Sequence, residues 1–471
     1  MKLSQQFAGN LSVIKKVLWW SLLTLPSAFI IGNVVALFLW SIDKVTAVRL
    51  SHPQIIWFLP VAGIVIYFII RAFRETSSNI VFQNIHAKNN GITEKSSLPI
   101  FLTTIITHLF GGSAGREGAT FQIGASLSRL SAKLFKLSEP QFKVVCTSGI
   151  AAAFGAVFGV PIAGAFFALE IVREGTFPYN ALIPCIIASI VGTLTCNYWG
   201  VHLTQFQYIF ASQSHPMFNG NFSPDLLLLA KAGAVGVIMG LLCCLFYLVL
   251  QYLKQGIDKL ASPKWAIPFI GGILLVALYF VFGTQEYLAL GATSLGQNTV
   301  SIASAFNAGG ADTWSWLIKL LFVVITLSFG FRGGEITPLL FIGATLGSVL
   351  AVVFNAPVPL FAALGFITML GGSANTPFAA TILGIELFGA EYTSYYAFAC
   401  FIAYFLSPTR KKIELLQAPT VPKLFDADYL KEWSLDRKIE NERLEKKKDE
   451  DEPSYLEGEG NGRNNADFEM L

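Results

Sequence analysis

The sequence predicts an all-α integral membrane protein built from two related halves, with broken helices of which only some span the bilayer. Three observations predict it. The 471 residues are 54% hydrophobic and 13% charged, whereas roughly 25% of a soluble domain is charged. The apolar residues gather in many separate runs, several too short to cross a membrane alone. The later runs also repeat motifs of the earlier ones at matching spacings.

The first run, 17–41, follows Lys15 and Lys16, exceeds a signal-peptide core in length and lacks a small-residue cleavage site. It reads as a first span behind a cytoplasmic N-terminus, 1–16. Runs 55–73, 180–200, 224–252 and 265–283 also reach or approach the ~20 residues that a helical span needs. Between and after them come 98–112, 119–135, 142–157, 160–172, 315–331, 338–354, 357–372, 377–390 and 392–407, many of them short and broken by Gly or Pro. Lipid cannot satisfy free N–H and C=O groups, so half-length helices survive at membrane depth only inside protein or along a wet cavity. Such interruption suits transporters and channels better than anchors.

Lys2, Lys15 and Lys16 flank one end of the apolar part and Arg410, Lys411 and Lys412 the other. The positive-inside rule then puts both termini in the cytoplasm, with an even number of crossings. Of 33 basic and 30 acidic residues, 12 and 16 lie between Arg410 and Leu471. The net charge of +3 thus averages a transmembrane domain, 17–413, and a charged cytoplasmic tail, 414–471. In that tail WSLDRKIENERLEKKKDEDE suits a short solvated helix with i,i+4 charge pairs, and the last dozen residues read as disordered. Its charges are balanced, so no nucleic-acid partner is expected. The six cysteines all sit in apolar runs and read as small buried hydrophobes.

Two stretches match closely: GREGATFQIGASL (115–127) and GGEITPLLFIGATL (333–346). Beyond each lies a second matched pair, VPIAGAFFALEI (160–171) and TPFAATILGIEL (376–387), in which Pro161, Ala163 and Glu170 keep the spacing of Pro377, Ala379 and Glu386. The halves run over about 17–210 and 220–413. A helix that begins inside the membrane presents free N–H groups and the positive end of its dipole, an anion site that needs no cationic side chain. Glycines let the backbone turn and approach a ligand, and Pro338 suits the first turn of a helix, where no N–H is required. A glutamate at such a place is an anion that comes with the protein. Its carboxylate can fill the site, leave when protonated, and so tie proton movement to anion movement; an ionisable residue at this depth is a functional candidate.

These residues resemble the CLC family of anion channels and anion/proton antiporters, over roughly residues 17–413. GREGA at 115–119 is similar to the family's GREGP, GGEITP at 333–338 to its GxFxP region, and SSNIVF at 77–82 stands where most members have GSGIP. The resemblance implies a homodimer of inverted-repeat subunits, each with its own pore. It makes Glu117 the gating and proton-coupling glutamate, with Gly115, Arg116 and Gly118 as motif neighbours. It puts Asn79, Ile80, Phe82, Gly115, Arg116, Gly118, Ile336 and Thr337 at the anion site.

Three departures point to one branch. Asn79 replaces the central serine of chloride transporters, Ile171 stands where chloride/proton antiporters carry an internal glutamate, and Glu335 and Thr337 fill the GGEITP element. Together they look like the fluoride/proton antiporter branch. The expected function is fluoride export against protons, with a chloride/proton antiporter or chloride channel as the alternative. Asn79's amide brings two donors where serine brings one, and Phe82 offers a positive ring edge.

Arg116 reads as a neutraliser of a nearby carboxylate. Glu335 is open between a proton path and a helix-start carboxylate, and the symmetric Glu170 and Glu386 favour architecture. The family's inner-gate tyrosine falls on Ile413, with Tyr404 nine residues earlier. His86 and His108 have no HExxH partner and read as loop and packing residues. No metal or cofactor is expected, and the expected class is a transporter, not an enzyme, in a bacterial inner or plasma membrane.

Overall fold

The computed structural model describes residues 2–73, 97–172, 179–201, 225–260, 263–292 and 299–407. Asn79, Ile80, Phe82, His86, Ile413 and the tail from 414 onward lie outside the described residues.

Each apolar run of the sequence becomes one helix. The first half holds α1 (Lys2–Ser51), α2 (Leu59–Ala72), α3 (Ser97–Phe110), α4 (Glu117–Leu134), α5 (Glu139–Phe158), α6 (Pro161–Val172) and α7 (Tyr179–Tyr198). The second holds α8 (Leu226–Leu260), α9 (Ala266–Phe282), α10 (Ser315–Ser328), α11 (Ile336–Val353), α12 (Val358–Ala374), α13 (Pro377–Phe388) and α14 (Thr393–Leu406). Long and short helices therefore follow one another in the same order twice. The largest departures from the sequence reading are at α1, which begins at Lys2, and α8, which runs on to Leu260.

Among the described residues, six helical stretches are long and apolar enough to cross a membrane: Trp19–Ser51, Pro53–Ala72, Gln141–Phe158, Ala181–Tyr198, Leu226–Ile257 and Ile336–Val353. By contrast α6 and α13 have 12 residues each, about 18 Å of helix against a hydrocarbon core of ~30 Å. They persist because protein surrounds them; Ala163, Phe167 and Leu169 of one and Ala379 and Leu383 of the other are fully buried. Both follow a left-handed residue that ends the preceding helix, Gly159 (φ 72°) and Asn375 (φ 56°). Both also start on a proline, Pro161 and Pro377, where a missing N–H costs nothing.

The halves meet copy against copy. α2 packs on α9, α4 on α11 and α6 on α13, so each of these helices lies beside its own repeat mate. At the last pair the contact is reciprocal. Glu170, near the end of α6, accepts hydrogen bonds from the Phe378 and Ala379 amides at 3.1 and 2.7 Å. Glu386, near the end of α13, accepts from the Ile162 and Ala163 amides at 3.0 and 2.6 Å. Each carboxylate thus supplies acceptors, and a negative charge, to the free N–H groups of the opposite helix start. Only helices running in opposite directions can do this, which is the geometry of an inverted repeat.

Candidate functional site

The glycine turns ahead of α4 and α11 meet each other. Gly115 and Gly334 exchange both backbone hydrogen bonds, at 2.5 and 2.6 Å, as an isolated antiparallel bridge. This closeness explains the glycines. A Cβ on Gly334 would come within 2.7 Å of the Gly118 nitrogen, and one on Gly115 within 2.6 Å of the Glu117 carboxylate. The bridge sets two helix N-termini face to face, and Glu117 opens one of them.

The Glu117 side chain is 1% exposed and points at the other helix start. Its Oε2 accepts the Thr337 amide at 3.2 Å and the Arg116 amide at 3.1 Å. Its Oε1 accepts the hydroxyl of Thr337. The carboxylate is therefore held by donors from both halves, supplied by backbone and a hydroxyl, at the place where two helix dipoles converge. Arg116 is buried too, with Nε 3.9 Å from Glu117 Oε1 and Nη1 3.9 Å from Asp43 Oδ1 on α1. Its guanidinium lies between the two carboxylates.

A small cavity opens on this carboxylate, lined by Arg116, Glu117, Phe158, Leu290, Thr337 and Leu340 among others, with about 20 Å³ open to the centre of a water-sized sphere. Roughly 10–15 Å³ by that measure holds one water, so the space suits a single water or small ion. Its wall at Leu290 and Ala292 is fastened from behind by Lys319 of α10. That side chain is fully buried, and its Nζ donates to the Tyr287 and Ala289 carbonyls at 3.1 and 2.8 Å and lies 5.3 Å from the centre of the Phe341 ring.

Glu335 stands immediately before α11, in its N-cap position, yet its side chain makes no capping bond to that helix. Its Oε1 instead lies 2.8 Å from the hydroxyl of Tyr247 on α8. Of the two readings open for Glu335, the helix-capping one has no hydrogen bond behind it. His108 is fully buried with Nδ1 2.8 Å from the Thr104 carbonyl, a packing histidine as expected. None of the six cysteines forms a disulfide.

Four partnerships had no counterpart in the reading of the sequence: Thr337's hydroxyl on Glu117, Tyr247 on Glu335, Lys319 behind the cavity wall, and the exchange of carboxylates between α6 and α13. The repeated motif spacing was the one available signal, and it reached only the last of these.

A family model described as voltage gated chloride channel matches residues 62–408, most of the apolar part. The chain belongs to the CLC family. Among its CLC relatives, a chloride/fluoride channel protein of Pseudomonas syringae pv. tomato is 34% identical over 402 residues, 84% of this chain and 86% of that one. A solved structure described as a CLC-type fluoride/proton antiporter superposes with a TM-score of 0.74 at 31% identity, covering 82% of this chain and 95% of the other. A slow cyanobacterial Cl-/H+ antiporter shares the CLC fold at a TM-score of 0.67 and 17% identity.

Proposed function

We propose that this chain is a secondary antiporter that exports fluoride in exchange for protons, with Glu117 as the coupling group. One observation carries the reading: the Glu117 carboxylate occupies donors from two facing helix starts, the amide and hydroxyl of Thr337 and the amide of Arg116. Those donors suit a small anion as well as they suit a carboxylate. Protonation removes the charge that holds Glu117 there, and the vacated donors then receive the anion. Deprotonation returns the side chain and expels it. One proton is thereby tied to each exchange of occupant.

Fluoride is favoured over chloride by Asn79 in place of serine, by the GGEITP element, and by the descriptions of the relatives that are 34% and 31% identical. The missing internal glutamate, Ile171 here, leaves Glu335 as the second proton-carrying group. The working unit is a homodimer with one pore per subunit, in a cell membrane with both termini cytoplasmic. Transport, not catalysis, is also what Ser113 supports. It stands in GGSAG (111–115), the spacing of a serine nucleophile turn, but is fully buried and donates its hydroxyl to the Tyr287 carbonyl at 2.8 Å.

The test is anion efflux from proteoliposomes loaded with equal fluoride and chloride, read by ion-selective electrodes, for wild type and Glu117→Gln. Fluoride release with chloride retained, and loss of proton coupling in the variant, is the expected result. Chloride release at an equal or greater rate would overturn the fluoride assignment and favour the chloride alternative.

A further inference from the structure

We infer that Tyr247 is the positioning residue that lets Glu335 change its charge state at membrane depth, and that proton coupling depends on it. This rests on the reading of Glu335 as a proton-carrying group. The argument begins from a count of protons and lone pairs. Tyr247's hydroxyl lies between two acceptors, Glu335 Oε1 at 2.8 Å and the Ser373 carbonyl of α12 at 3.2 Å. A phenol has one proton to donate and an oxygen that also accepts, whereas a carbonyl only accepts.

When Glu335 is a carboxylate, the phenol donates to it. When Glu335 has taken a proton, its own O–H donates to the phenol oxygen, and the phenol proton turns to Ser373. Both states keep each of these donors paired. The change between them is a rotation about one C–O bond, with no heavy atom displaced. The added proton resides on Glu335 throughout its stay, and Tyr247 remains a neutral phenol at both ends of the step. Without the hydroxyl, the ionised Glu335 loses its donor and the protonated Glu335 loses its acceptor, so neither state is held as it is beside the phenol.

The repeat sharpens the contrast. Arg116, which occupies the corresponding helix-start position ahead of α4, faces Asp43 on the first half's long helix. Glu335 faces Tyr247 on the second half's long helix. One half thus carries a pair of opposite charges where the other carries a pair able to exchange donor and acceptor. The α11 start then joins the two carboxylates: Glu335 precedes it, and Thr337, two residues on, donates to Glu117.

The test uses the full chain in liposomes, with the reversal potential measured under opposed fluoride and proton gradients. That potential reports the coupling ratio and does not depend on how much protein is active. Wild type reversing away from the fluoride equilibrium potential is the first requirement. Reversal at that potential would sink the antiport reading itself, and this inference with it. Given coupled wild type, Tyr247→Phe should carry fluoride at a similar rate while its reversal potential moves toward the fluoride equilibrium value. Glu335→Gln should move it similarly, and the double variant no further.

A Tyr247→Phe protein that elutes like wild type and keeps the wild-type potential, or loses fluoride flux altogether, overturns the inference, as does an additive shift in the double variant. Should Tyr247→Phe fail to elute as folded protein, Tyr247→His decides. Its ring keeps one donor and one acceptor, so retained coupling supports the inference and lost coupling refutes it.

Discussion

Replacing Glu170 by Gln tests whether the crossed carboxylates are architecture or part of the proton route. In the structure the Glu170 carboxylate accepts two amides at the start of α13, Phe378 at 3.1 Å and Ala379 at 2.7 Å. Glutamine keeps one acceptor oxygen and turns the other position into a donor facing an N–H. One buried amide is then orphaned, which costs about 1–3 kcal/mol. Loss of the negative charge at a helix N-terminus adds roughly 0.3–1 kcal/mol. Glu170→Ala orphans both amides, about 2–6 kcal/mol by the same reckoning. Since about 1.4 kcal/mol is a tenfold change in an equilibrium, the Gln variant should shift the folded-to-unfolded ratio by roughly one to three orders of magnitude.

The assay is denaturant unfolding in detergent, followed by helical signal, beside the reversal potential of reconstituted protein. The expected order of damage is Glu170→Ala, then Glu170→Gln, then Glu386→Gln, because Glu386 is less buried than Glu170 and water replaces part of what it loses. Proton coupling should survive in whatever fraction folds. A Glu170→Gln protein with wild-type stability and no proton coupling would refute the reasoning and put Glu170 on the proton route.

Gly334→Ala should abolish transport, because its Cβ would come within 2.7 Å of the Gly118 nitrogen. Gly256→Ala, a helical position with nothing within 4 Å, should be neutral or more stable by up to about 1 kcal/mol, and fluoride efflux with thermal melting reads both. Thr337→Val removes a hydroxyl that serves Glu117 or an anion in turn. A hydrogen bond to a charged group contributes about 1.5–3 kcal/mol, so the apparent fluoride KM should rise by about tenfold or more while Thr337→Ser stays near wild type. Lys319→Met leaves the buried Tyr287 and Ala289 carbonyls without their shared donor, at about 1–3 kcal/mol each. Faster proteolysis between 283 and 314, measured against wild type in the same detergent, is the expected sign of a loosened cavity wall.

The sequence by itself determined the helices, their order and the duplication. Apolar runs, and the Gly and Pro residues that end them, act through backbone hydrogen bonds and solvation within a few residues, so helix limits such as Pro161–Val172 and Pro377–Phe388 followed the runs closely. The glycines around Glu117 were legible for the same reason: a charged residue in a glycine turn between apolar runs has few structural explanations at membrane depth.

Only the tertiary structure decided what each of these side chains touches. Glu170 finds its amides 208 residues away, Thr337 meets Glu117 across 220, and Tyr247 meets Glu335 across 88. Residue type limits a side chain to donor, acceptor or charge, but the partner is chosen by the inverted packing of one half on the other. That packing brings α4 to α11 and α6 to α13, and no local pattern of residues encodes the meeting of two segments so far apart in the chain.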